Sequence, residues 1–475
     1  MSEQTTPSRT GTNRRQVVDM NGIRYELDRE IGSGGQGKVY AVQGDRVAVK
    51  LIMDPSSERR ERLRYQLTSI RRMSLSDVPV ASPLEMLRPP HVGYVMKFLE
   101  GMTALSELAY PPQSEGLNLA EWYFAGGGLR RRLRLLAYAA DILAQLHGKA
   151  LVYADPSPYN IFISDDPNTY QVQLIDADNL QYQSSPSGSN YYTPGYGAPE
   201  LVRGQSGVNT LTDAHAFAVV VFHTLTLIHP LAGDLVTMCE PELEEKAFRG
   251  ELPWVDHPED ESNRSSDGIP RTMVLSKKLQ DLAQQAFGEG LSAPLRRPDL
   301  GQWRDVLHRA SDSTLICPAC DGSYYYKECK CPWCEADRPP FVRAMFYLWD
   351  PSLSKEGYVV KRINKNELKN YMVEAVTITD GETYIITERV RCGKTDVGAE
   401  KPCVELQIDL QNNQMQLRSL DGMTYIAAEI GSGSTKAEIG DRARKAKLEQ
   451  GRTNWFLHLG DRDTLHRVAY FEVYR

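Results

Sequence analysis

The sequence lacks a long uninterrupted hydrophobic segment. Its longest apolar run is Ala216–Phe222, which reaches Ile228 only by passing His223 and two threonines. A membrane-spanning helix needs about 20 apolar residues, so we expect a buried helix here and no membrane association. Residues 1–16 are rich in Ser, Thr, Gly and Arg and have no apolar stretch, so we expect a disordered tail and no signal peptide.

The chain also lacks an excess of positive charge and a dense set of cysteines. Its 475 residues carry a formal net charge of −7, which makes a general nucleic-acid-binding role unlikely on charge grounds alone. Four of the eight cysteines fall in two Cys-Pro-x-Cys pairs, a pattern typical of metal ligands in a reducing compartment and not of a disulfide framework. We therefore expect a cytoplasmic protein of two or three domains.

Five short motifs occur in a fixed order along the first part of the chain. They are Ile31–Val39, Val47–Lys50, Asp155–Asn160, Asp176–Asp178 and Ala198–Glu200. A glycine-rich loop alone is weak evidence, because many ordinary hairpins contain one. All five motifs in this order resemble the protein kinase superfamily, in which most of them hold a different part of ATP and its metal.

The resemblance implies a nucleotide site in the first part of the chain. Glycines without a Cβ let the backbone approach phosphates closely. Lys50 is then the lysine that holds the α- and β-phosphates, and Met96 is the gatekeeper before the segment that meets adenine. The residues implied in nucleotide binding are Gly32, Gly34, Gly35, Gly37, Val39, Ala48, Lys50, Glu61, Met96, Lys97, Phe98 and Leu99.

The carboxylate partner of Lys50 is ambiguous. The superfamily uses a glutamate on the following helix, but Glu58 and Glu61 both lie nearer to Lys50 in sequence than is typical. Gln66 is better spaced and is uncharged. We favour Glu61, and a solvated helix face of arginines and glutamates is an alternative interpretation of the same segment.

The later motifs imply the catalytic residues. By resemblance, Asp155 orients the substrate hydroxyl and accepts its proton, while Asn160 and Asp176 bind Mg²⁺ through oxygen atoms, as this hard cation prefers. Lys50, Asp155, Asn160 and Asp176 are therefore the predicted catalytic set.

Two further carboxylates have structural roles by the same resemblance. Glu200 is expected to form a buried ion pair with Arg297, and Asp213 is expected to anchor the catalytic loop from the long apolar helix. Removing one partner of a buried ion pair typically destabilises a protein by about 3–5 kcal/mol. These residues therefore bear on stability more than on chemistry.

Three positions depart from the superfamily pattern. Ala154 replaces an arginine that reads a phosphate on the activation segment, Ser157 replaces a lysine that touches the transferred phosphate, and Ala177 replaces the Phe of Asp-Phe-Gly. The resulting Asp-x-Asp motif at Asp176–Gln181 resembles a subgroup of bacterial Ser/Thr kinase-like proteins. Some members of that subgroup are encoded beside a phosphatase in stress-response gene clusters.

Three functions fit these residues. The leading prediction is a bacterial stress-response or signalling Ser/Thr protein kinase that uses ATP and Mg²⁺, with a protein substrate or partner protein and a cognate phosphatase as implied partners. The departures favour a pseudokinase scaffold as an alternative, in which the zinc ribbon and the β-rich region described below provide the output. The loss of a lysine at Ser157 also permits a small-molecule kinase, although Thr193–Glu200 resembles the peptide-positioning segment of protein kinases.

The paired cysteines predict a zinc ribbon at residues 314–338. Two Cys-x-x-Cys turns can place four thiolates tetrahedrally around Zn²⁺, and the ligands would be Cys317, Cys320, Cys331 and Cys334. Cys329 is a spare thiol that could replace Cys331, and a disulfide pair or free core cysteines are the simpler alternatives. Few basic residues surround the pairs, so we favour a structural or protein-contact role over nucleic-acid binding.

Residues 341–475 change to strand-like alternation. Val404, Leu406, Ile408 and Leu410 alternate with polar residues, as in a half-buried strand. Asp380-Gly381 predicts a hairpin turn, and Lys436–Gly451 could form a short basic helix. The predicted architecture is multi-domain α+β: a bilobal kinase-like fold at 17–310 (N-lobe 17–98, C-lobe 99–310), the zinc ribbon, and a C-terminal all-β sandwich or barrel at 341–475.

Overall fold

A computed structural model describes residues 15–475 apart from 35–36, 45, 54–55, 74, 115, 185–191, 238–240, 355–371, 397, 431–432 and 449. Most of the tail predicted at residues 1–16 lies outside the described residues, and Gln16 already begins a strand. Among the helices of the described part, none is both long and apolar enough to cross a membrane.

Six strands near the N-terminus form one antiparallel sheet in the order β1-β2-β3-β4-β6-β5. Helix α1, Ser57–Arg72, follows β4 and buries Leu63, Leu67 and Ile70 along one face. This i, i+4, i+7 spacing is that of an amphipathic helix. The strands are β1 Gln16–Val18, β2 Arg24–Gly34, β3 Gly37–Val42, β4 Val47–Ile52, β5 Glu85–Met86 and β6 Gly93–Lys97.

A mainly helical lobe follows the sheet. At its centre is α6, Thr210–Thr226, which begins at the capping residue Asn209 and contains the apolar run found in the sequence. The other helices are α2 Ser106–Ala109, α3 Leu119–Ala125, α4 Gly128–Gly148, α5 Pro199–Val202, α7 Asp234–Thr237, α8 Pro241–Phe248, α9 Arg271–Val274, α10 Lys277–Gln284, α11 Gly290–Ser292 and α12 Leu300–Asp312.

Short strands and turns connect these helices and carry the later motifs. A 3-10 turn at Ala177–Asn179 packs against α1, so it links the two lobes. A π-helical turn extends α10 at Gln285–Glu289, and a second 3-10 turn lies at Pro294–Arg296. The strands are β7 Met102–Ala104, β8 Leu151–Val152, β9 Ile161–Ser164, β10 Val172–Leu174 and β11 Gln181–Tyr182.

The cysteine segment is attached to the helical lobe. It contains the antiparallel strands β12, Thr314–Ile316, and β13, Ser323–Tyr325. Arg130 at the start of α4 is buried and donates to Thr314 Oγ1 at 2.7 Å. The Trp333 ring lies 5.1 Å from that of Phe124, measured between centroids. The hairpin therefore sits on the N-terminal end of α4.

The C-terminal region consists mainly of two antiparallel sheets that enclose one apolar core. The alternation predicted for β17 is observed, since Val404, Leu406 and Ile408 are buried. One sheet contains β14 Phe341–Trp349, β15 Met372–Thr379, β19 Tyr425–Glu429, β20 Thr435–Ile439, β22 Gly451–Arg452, β23 Trp455–His458 and β24 His466–Tyr474. The other contains β16 Thr383–Thr387, β17 Pro402–Asp409, β18 Gln414–Ser419 and β21 Arg444–Lys447.

The two-sheet core fits the sandwich alternative, although the region is not all-β. Among its described residues, two short helices interrupt the strands, α13 Pro351–Ser354 and α14 Glu388–Cys392. Arg389 of α14 donates to Asp312 at the end of α12, with 2.8 Å between Nη2 and Oδ2. This ion pair joins the β-rich region directly to the helical lobe.

Two local predictions for this region were wrong. Asp380-Gly381 does not close a hairpin, because β15 pairs with β14 whereas β16 pairs with β17 in the other sheet. The turn instead carries the chain from one sheet to the other. The described residues of the segment Lys436–Gly451 form strands and turns and not a helix. Strands β20 and β21 lie at the edges of the two sheets, where most of their charged side chains are exposed.

Candidate active site

Lys50 lies in the middle of β4 and is 3% exposed. Its ammonium group donates to Asp176 Oδ1 and to Asp178 Oδ2, both at 2.8 Å. Burial alone would lower the pKa of Lys50, but the carboxylates of Asp178 and Asp176 outweigh that effect and raise it. Lys50 is therefore held as a cation where the two lobes meet.

Asp176 begins the 3-10 turn in the left-handed backbone region, with φ of 56°. Such a backbone conformation is uncommon for residues other than glycine and is often found at functional sites. Burial raises the pKa of Asp176, while the charge of Lys50 acts in the opposite direction. Lys50 and the first aspartate of the Asp-x-Asp motif, both members of the predicted catalytic set, are thus in direct contact.

The prediction that Glu61 pairs with Lys50 was wrong for this structure. Glu61 is exposed on α1, and Lys50 contacts the two aspartates instead. The helix buries Leu63 and its i+4 and i+7 neighbours, so the carboxylates of this segment face solvent. The alternative interpretation, a solvated face of arginines and glutamates, describes the helix correctly.

Asp155 accepts hydrogen bonds at both carboxylate oxygens. Thr193 donates its N–H to Oδ1 at 2.8 Å and its hydroxyl to Oδ2 at 2.9 Å. Asn160 Nδ2 donates to the same Oδ2 at 3.0 Å. Burial raises the pKa of Asp155, and these hydrogen bonds partly oppose the shift. The orientation of the Asp155 carboxylate is therefore fixed by hydrogen bonds to each of its two oxygens.

Hydrogen bonds to a buried carboxylate on α6 anchor the loop that carries Asp155. Asp213 on α6 accepts the N–H of Tyr153 at 2.8 Å and the N–H of Ala154 at 2.9 Å. The Tyr153 hydroxyl donates to the carbonyl of Ile175 and lies 3.3 Å from that of Asn160. The anchoring role expected for Asp213 is observed, and Tyr153 connects the segments that carry Asn160 and Asp176.

The predicted buried pair is also present. Arg297 donates through both terminal nitrogens to the two carboxylate oxygens of Glu200, each at 2.7 Å. The Arg297 side chain is 1% exposed. A bidentate contact of this kind fixes geometry as well as charge, so it holds the end of the Ala198–Glu200 motif against the helical lobe.

The predicted glycines lie in the hairpin between β2 and β3. Gly32 and Gly34 belong to β2, Gly37 opens β3, and Gly35 lies outside the described residues. A Cβ at Gly37 would lie 2.3 Å from the carbonyl oxygen of Leu51. Close packing of β3 on β4 therefore requires a glycine at Gly37, independently of any ligand.

The other residues predicted to bind nucleotide lie on neighbouring strands or directly after β6. Val39 is paired with Lys50 across β3 and β4, and Ala48 is paired with Met96 across β4 and β6. Lys97 ends β6 and is exposed, and Phe98 and Leu99 follow it half-buried. Val39, Ala48 and Met96 therefore share the face of the sheet that carries Lys50, because Val39 pairs with Lys50 and Ala48 lies two residues from it.

Ser157 stands where the superfamily pattern has a lysine. It is fully buried, and its hydroxyl has no hydrogen-bond partner among the described residues. A lysine at this point in the superfamily pattern would reach the transferred phosphate, whereas the serine side chain is enclosed in the loop. The Ser157 hydroxyl is therefore not exposed at the surface of the site.

The donor set fits a hard metal ion. Asn160 uses its amide nitrogen to contact Asp155, so its amide oxygen is the atom that would bind a cation. The N–H of Ile175 donates to the carbonyl of Asn160 at 3.0 Å, which places the adjacent Asp176 close to Asn160. One amide oxygen and one carboxylate are the kind of incomplete oxygen set that Mg²⁺ uses together with phosphates and water.

Comparison with known proteins agrees with this geometry. Residues 25–289, more than half of the chain, match the protein kinase domain family. The chain belongs to the protein kinase family. The matched range includes most of β2, strands β3 to β6, the Asp-x-Asp turn and α6. It therefore contains Lys50, Asp155, Asn160 and Asp176, whereas Arg297 lies just beyond it.

Curated bacterial kinases share this kinase domain at low identity. The chain is 30% identical over 224 residues to the DNA damage-responsive serine/threonine-protein kinase RqkA of Deinococcus radiodurans, covering 44% of this chain and 31% of that protein. It is 27% identical over 228 residues to the serine/threonine-protein kinase pkn2 of Myxococcus xanthus, covering 45% and 25%. It is 25% identical over 224 residues to the serine/threonine-protein kinase PrkC of Bacillus subtilis, covering 44% and 32%. The alignments thus span about a quarter to a third of these relatives.

Outside the kinase domain, four cysteines form a candidate metal centre. The sulfur atoms of Cys317, Cys320, Cys331 and Cys334 all lie within 4.8 Å of one another. Two of the separations are 3.6 and 3.8 Å, close to the ~3.8 Å expected between thiolates bound tetrahedrally to zinc at ~2.3 Å. Cys329 is exposed and is not part of this group.

The two cysteine turns have the same backbone geometry. The N–H of Asp321 donates to the carbonyl of Cys317 at 2.9 Å, and that of Glu335 donates to the carbonyl of Cys331 at 2.8 Å. Asp321 and Glu335 both have positive φ, 57° and 60°. Two matched turns that direct four thiols to one point are what a tetrahedral metal site requires.

Sequence reasoning missed three residues of the active site. Asp178 and Tyr94 contact the Lys50 cluster, and Thr193 holds Asp155. The second acid of the Asp-x-Asp motif was a usable signal for Asp178. Tyr94 and Thr193 gave none, because their roles depend on strand pairing and on the fold of the segment before Ala198–Glu200.

Proposed function

We propose that this protein is a Ser/Thr protein kinase that transfers the γ-phosphate of ATP to a protein hydroxyl. The observation that carries the proposal is the convergence of Lys50, Asp176, Asn160 and Asp155 where the two lobes meet, inside the region that matches the kinase family. The bacterial relatives are named as serine/threonine-protein kinases, which supports the Ser/Thr class.

In the proposed reaction, the substrate hydroxyl oxygen forms a bond to the γ-phosphorus, and the bond from that phosphorus to the leaving ADP oxygen breaks. Asp155 orients the hydroxyl and accepts its proton. Lys50 neutralises charge on the α- and β-phosphates, and Asn160 and Asp176 hold the metal. Bound Mg²⁺ supplies charge neutralisation on the phosphates. Positioning and electrostatics account for most of the rate in such transfers.

Phosphoamino-acid analysis tests the substrate class. The purified chain would be incubated with Mg-ATP labelled in the γ-phosphate, alone and with a generic protein substrate. We expect label on serine or threonine of protein. Label that appears only on small molecules would favour the small-molecule kinase, and ATP binding without any transfer would favour the pseudokinase scaffold.

The cysteine group is proposed to hold one structural Zn²⁺. Small cysteine-rich segments usually depend on the metal for folding because they lack a sufficient apolar core of their own. Here the cysteine segment contacts the helical lobe through Trp333 and Phe124, and it contacts the β-rich region through the buried ring of Phe341. Zinc would then stabilise the junction between the kinase domain and the C-terminal sheets.

We further propose a cytoplasmic setting in bacterial stress response or signalling, with a cognate phosphatase that reverses the reaction. The Asp-x-Asp motif supports this assignment by its resemblance to the bacterial subgroup. One relative carries "DNA damage-responsive" in its name. Co-purification of this chain with a phosphatase that removes its label is the direct check of the partnership.

A further inference from the structure

The two carboxylates that contact Lys50 differ in exposure. The Asp176 side chain is 33% exposed, whereas the Asp178 side chain is 4% exposed. Both oxygens of Asp178 are engaged, one by Lys50 Nζ at 2.8 Å and the other by the hydroxyl of Tyr94. Asp178 is therefore held at both carboxylate oxygens, whereas Asp176 is only partly buried.

The position of Tyr94 allows its hydroxyl to hold the Asp178 carboxylate. It is fully buried on β6, opposite Lys50 in the register of β4 and β6, and its ring centroid lies 6.0 Å from Lys50 Nζ. Burial and the neighbouring carboxylate of Asp178 raise the pKa of Tyr94 well above its usual range, so the hydroxyl keeps its proton. A buried carboxylate is strongly destabilising unless it is paired and hydrogen-bonded, and Asp178 satisfies both conditions.

The carboxylates of α1 are placed differently. Glu61 is exposed, and Glu58 is also exposed and lies 3.9 Å from Arg62. Leu63 and Leu67 are buried beneath the helix. Residues two apart on an α-helix point about 200° apart, so turning Glu61 toward Lys50 would turn Leu63 out of the core.

We propose that Asp178 is the residue that positions Lys50 for nucleotide binding, in the role that a helix glutamate would otherwise fill, and that Tyr94 holds Asp178 in place. The inference rests on the proposed kinase function. In this role Asp178 keeps the ammonium group directed toward the phosphates, while Asp176 stays available as a metal ligand. The two acids of the Asp-x-Asp motif thus have different tasks, and Asp178 is a positioning residue.

The first test compares two carboxylate-to-amide variants. ATP affinity in the presence of Mg²⁺ and the kinetic constants for phosphate transfer would be measured for the wild type, Asp178→Asn and Glu61→Gln. We expect Asp178→Asn to weaken ATP binding by about tenfold or more, the effect of losing one charge contact of ~1.4 kcal/mol. We expect Glu61→Gln to stay within about twofold of wild type. Wild-type affinity in Asp178→Asn, or an equal loss in Glu61→Gln, would overturn the proposal.

A second test separates positioning from a structural role. Asp178→Asn would be introduced into the wild type and into Lys50→Met, with ATP affinity measured in all four proteins. If Asp178 acts through Lys50, the substitution has no further effect once the ammonium group is gone. An equal weakening in both backgrounds would assign Asp178 a structural role and overturn the proposal. Asp77→Asn, at an exposed contact with Lys149, is the matched control for the substitution itself.

The outcomes of the two proposals can be told apart. ATP binding can be measured without phosphate transfer. A wild-type chain that binds ATP but transfers no phosphate would refute the kinase proposal. The comparison of ATP affinities would still decide the role of Asp178. A wild-type chain that binds no ATP would overturn both. Thermal unfolding identifies any variant that fails to fold. If Asp178→Asn fails to fold, Tyr94→Phe takes its place in the same design. We then expect Tyr94→Phe to weaken ATP binding when introduced into the wild type, and to have no effect when introduced into Lys50→Met.

Discussion

The hydroxyl of Tyr153 donates a hydrogen bond to the carbonyl of Ile175, the residue that precedes Asp176. It also lies 3.3 Å from the carbonyl of Asn160. One buried side chain thus connects the catalytic loop to both segments proposed to carry the metal ligands.

The first prediction concerns that connection. Tyr153→Phe keeps the ring and removes the hydroxyl, which leaves the Ile175 carbonyl without this donor. We expect the free energy of unfolding to fall by about 1–3 kcal/mol and kcat to fall by about tenfold to a hundredfold, because small displacements of reacting groups have large effects on rate. Thermal unfolding and steady-state kinetics would measure the two effects. Tyr65→Phe, at a tyrosine that is 77% exposed, should change neither.

The second prediction concerns the pH dependence of Asp155. Burial raises its pKa, and hydrogen bonds from Thr193 lower it. A proton acceptor must be ionised, so activity should fall as the pH drops through the pKa of Asp155. Thr193→Val removes the hydroxyl donor, raises that pKa further, and should move the acidic limb of the kcat/KM profile to higher pH. A limb that stays in place or moves to lower pH would contradict the assignment.

The third prediction concerns stability. Glu200→Gln leaves the buried guanidinium of Arg297 without its carboxylate, and we expect the free energy of unfolding to fall by about 3–5 kcal/mol. The Tm should drop markedly. The matched control is Glu261→Gln, which breaks an ion pair with Arg264 whose side chains are 67% and 72% exposed, and it should leave the Tm almost unchanged. Equal effects in the two variants would argue against a special role for the buried pair.

The fourth prediction concerns zinc. Elemental analysis of the purified protein should find one zinc per chain, and Cys320→Ser should reduce this content and lower the Tm. Cys329→Ser should affect neither, because that thiol is exposed and outside the group of four. Loss of zinc in the Cys329 variant, with full content in the Cys320 variant, would contradict the proposed ligand set.

Local motifs carried most of what the sequence could predict. Asp155 and Asn160 are five residues apart on one loop, so their contact at 3.0 Å follows from local chain geometry. The apolar run around Phe217 could only be a membrane segment or a buried helix, and its length decided between them.

The partner of Lys50 could not be predicted in the same way. It depends on which face of α1 turns inward and on the pairing of β4 with β6, which places Tyr94 beside the lysine. Both are long-range features. The prediction of a hairpin at Asp380-Gly381 was wrong for a related reason. The residues of a turn determine a local bend in the backbone, but they do not determine which sheet the next strand joins.

The most direct test of the central claim is transfer of labelled γ-phosphate from Mg-ATP to protein by the purified chain, measured beside Asp155→Asn and Asp176→Asn. Asn keeps the size of each side chain and removes its charge. Label on protein with the wild type, and loss of that label in both variants while each remains folded, is the result that the proposed kinase mechanism predicts. Transfer that persists in both variants, or no transfer by a wild-type chain that binds ATP, would contradict it.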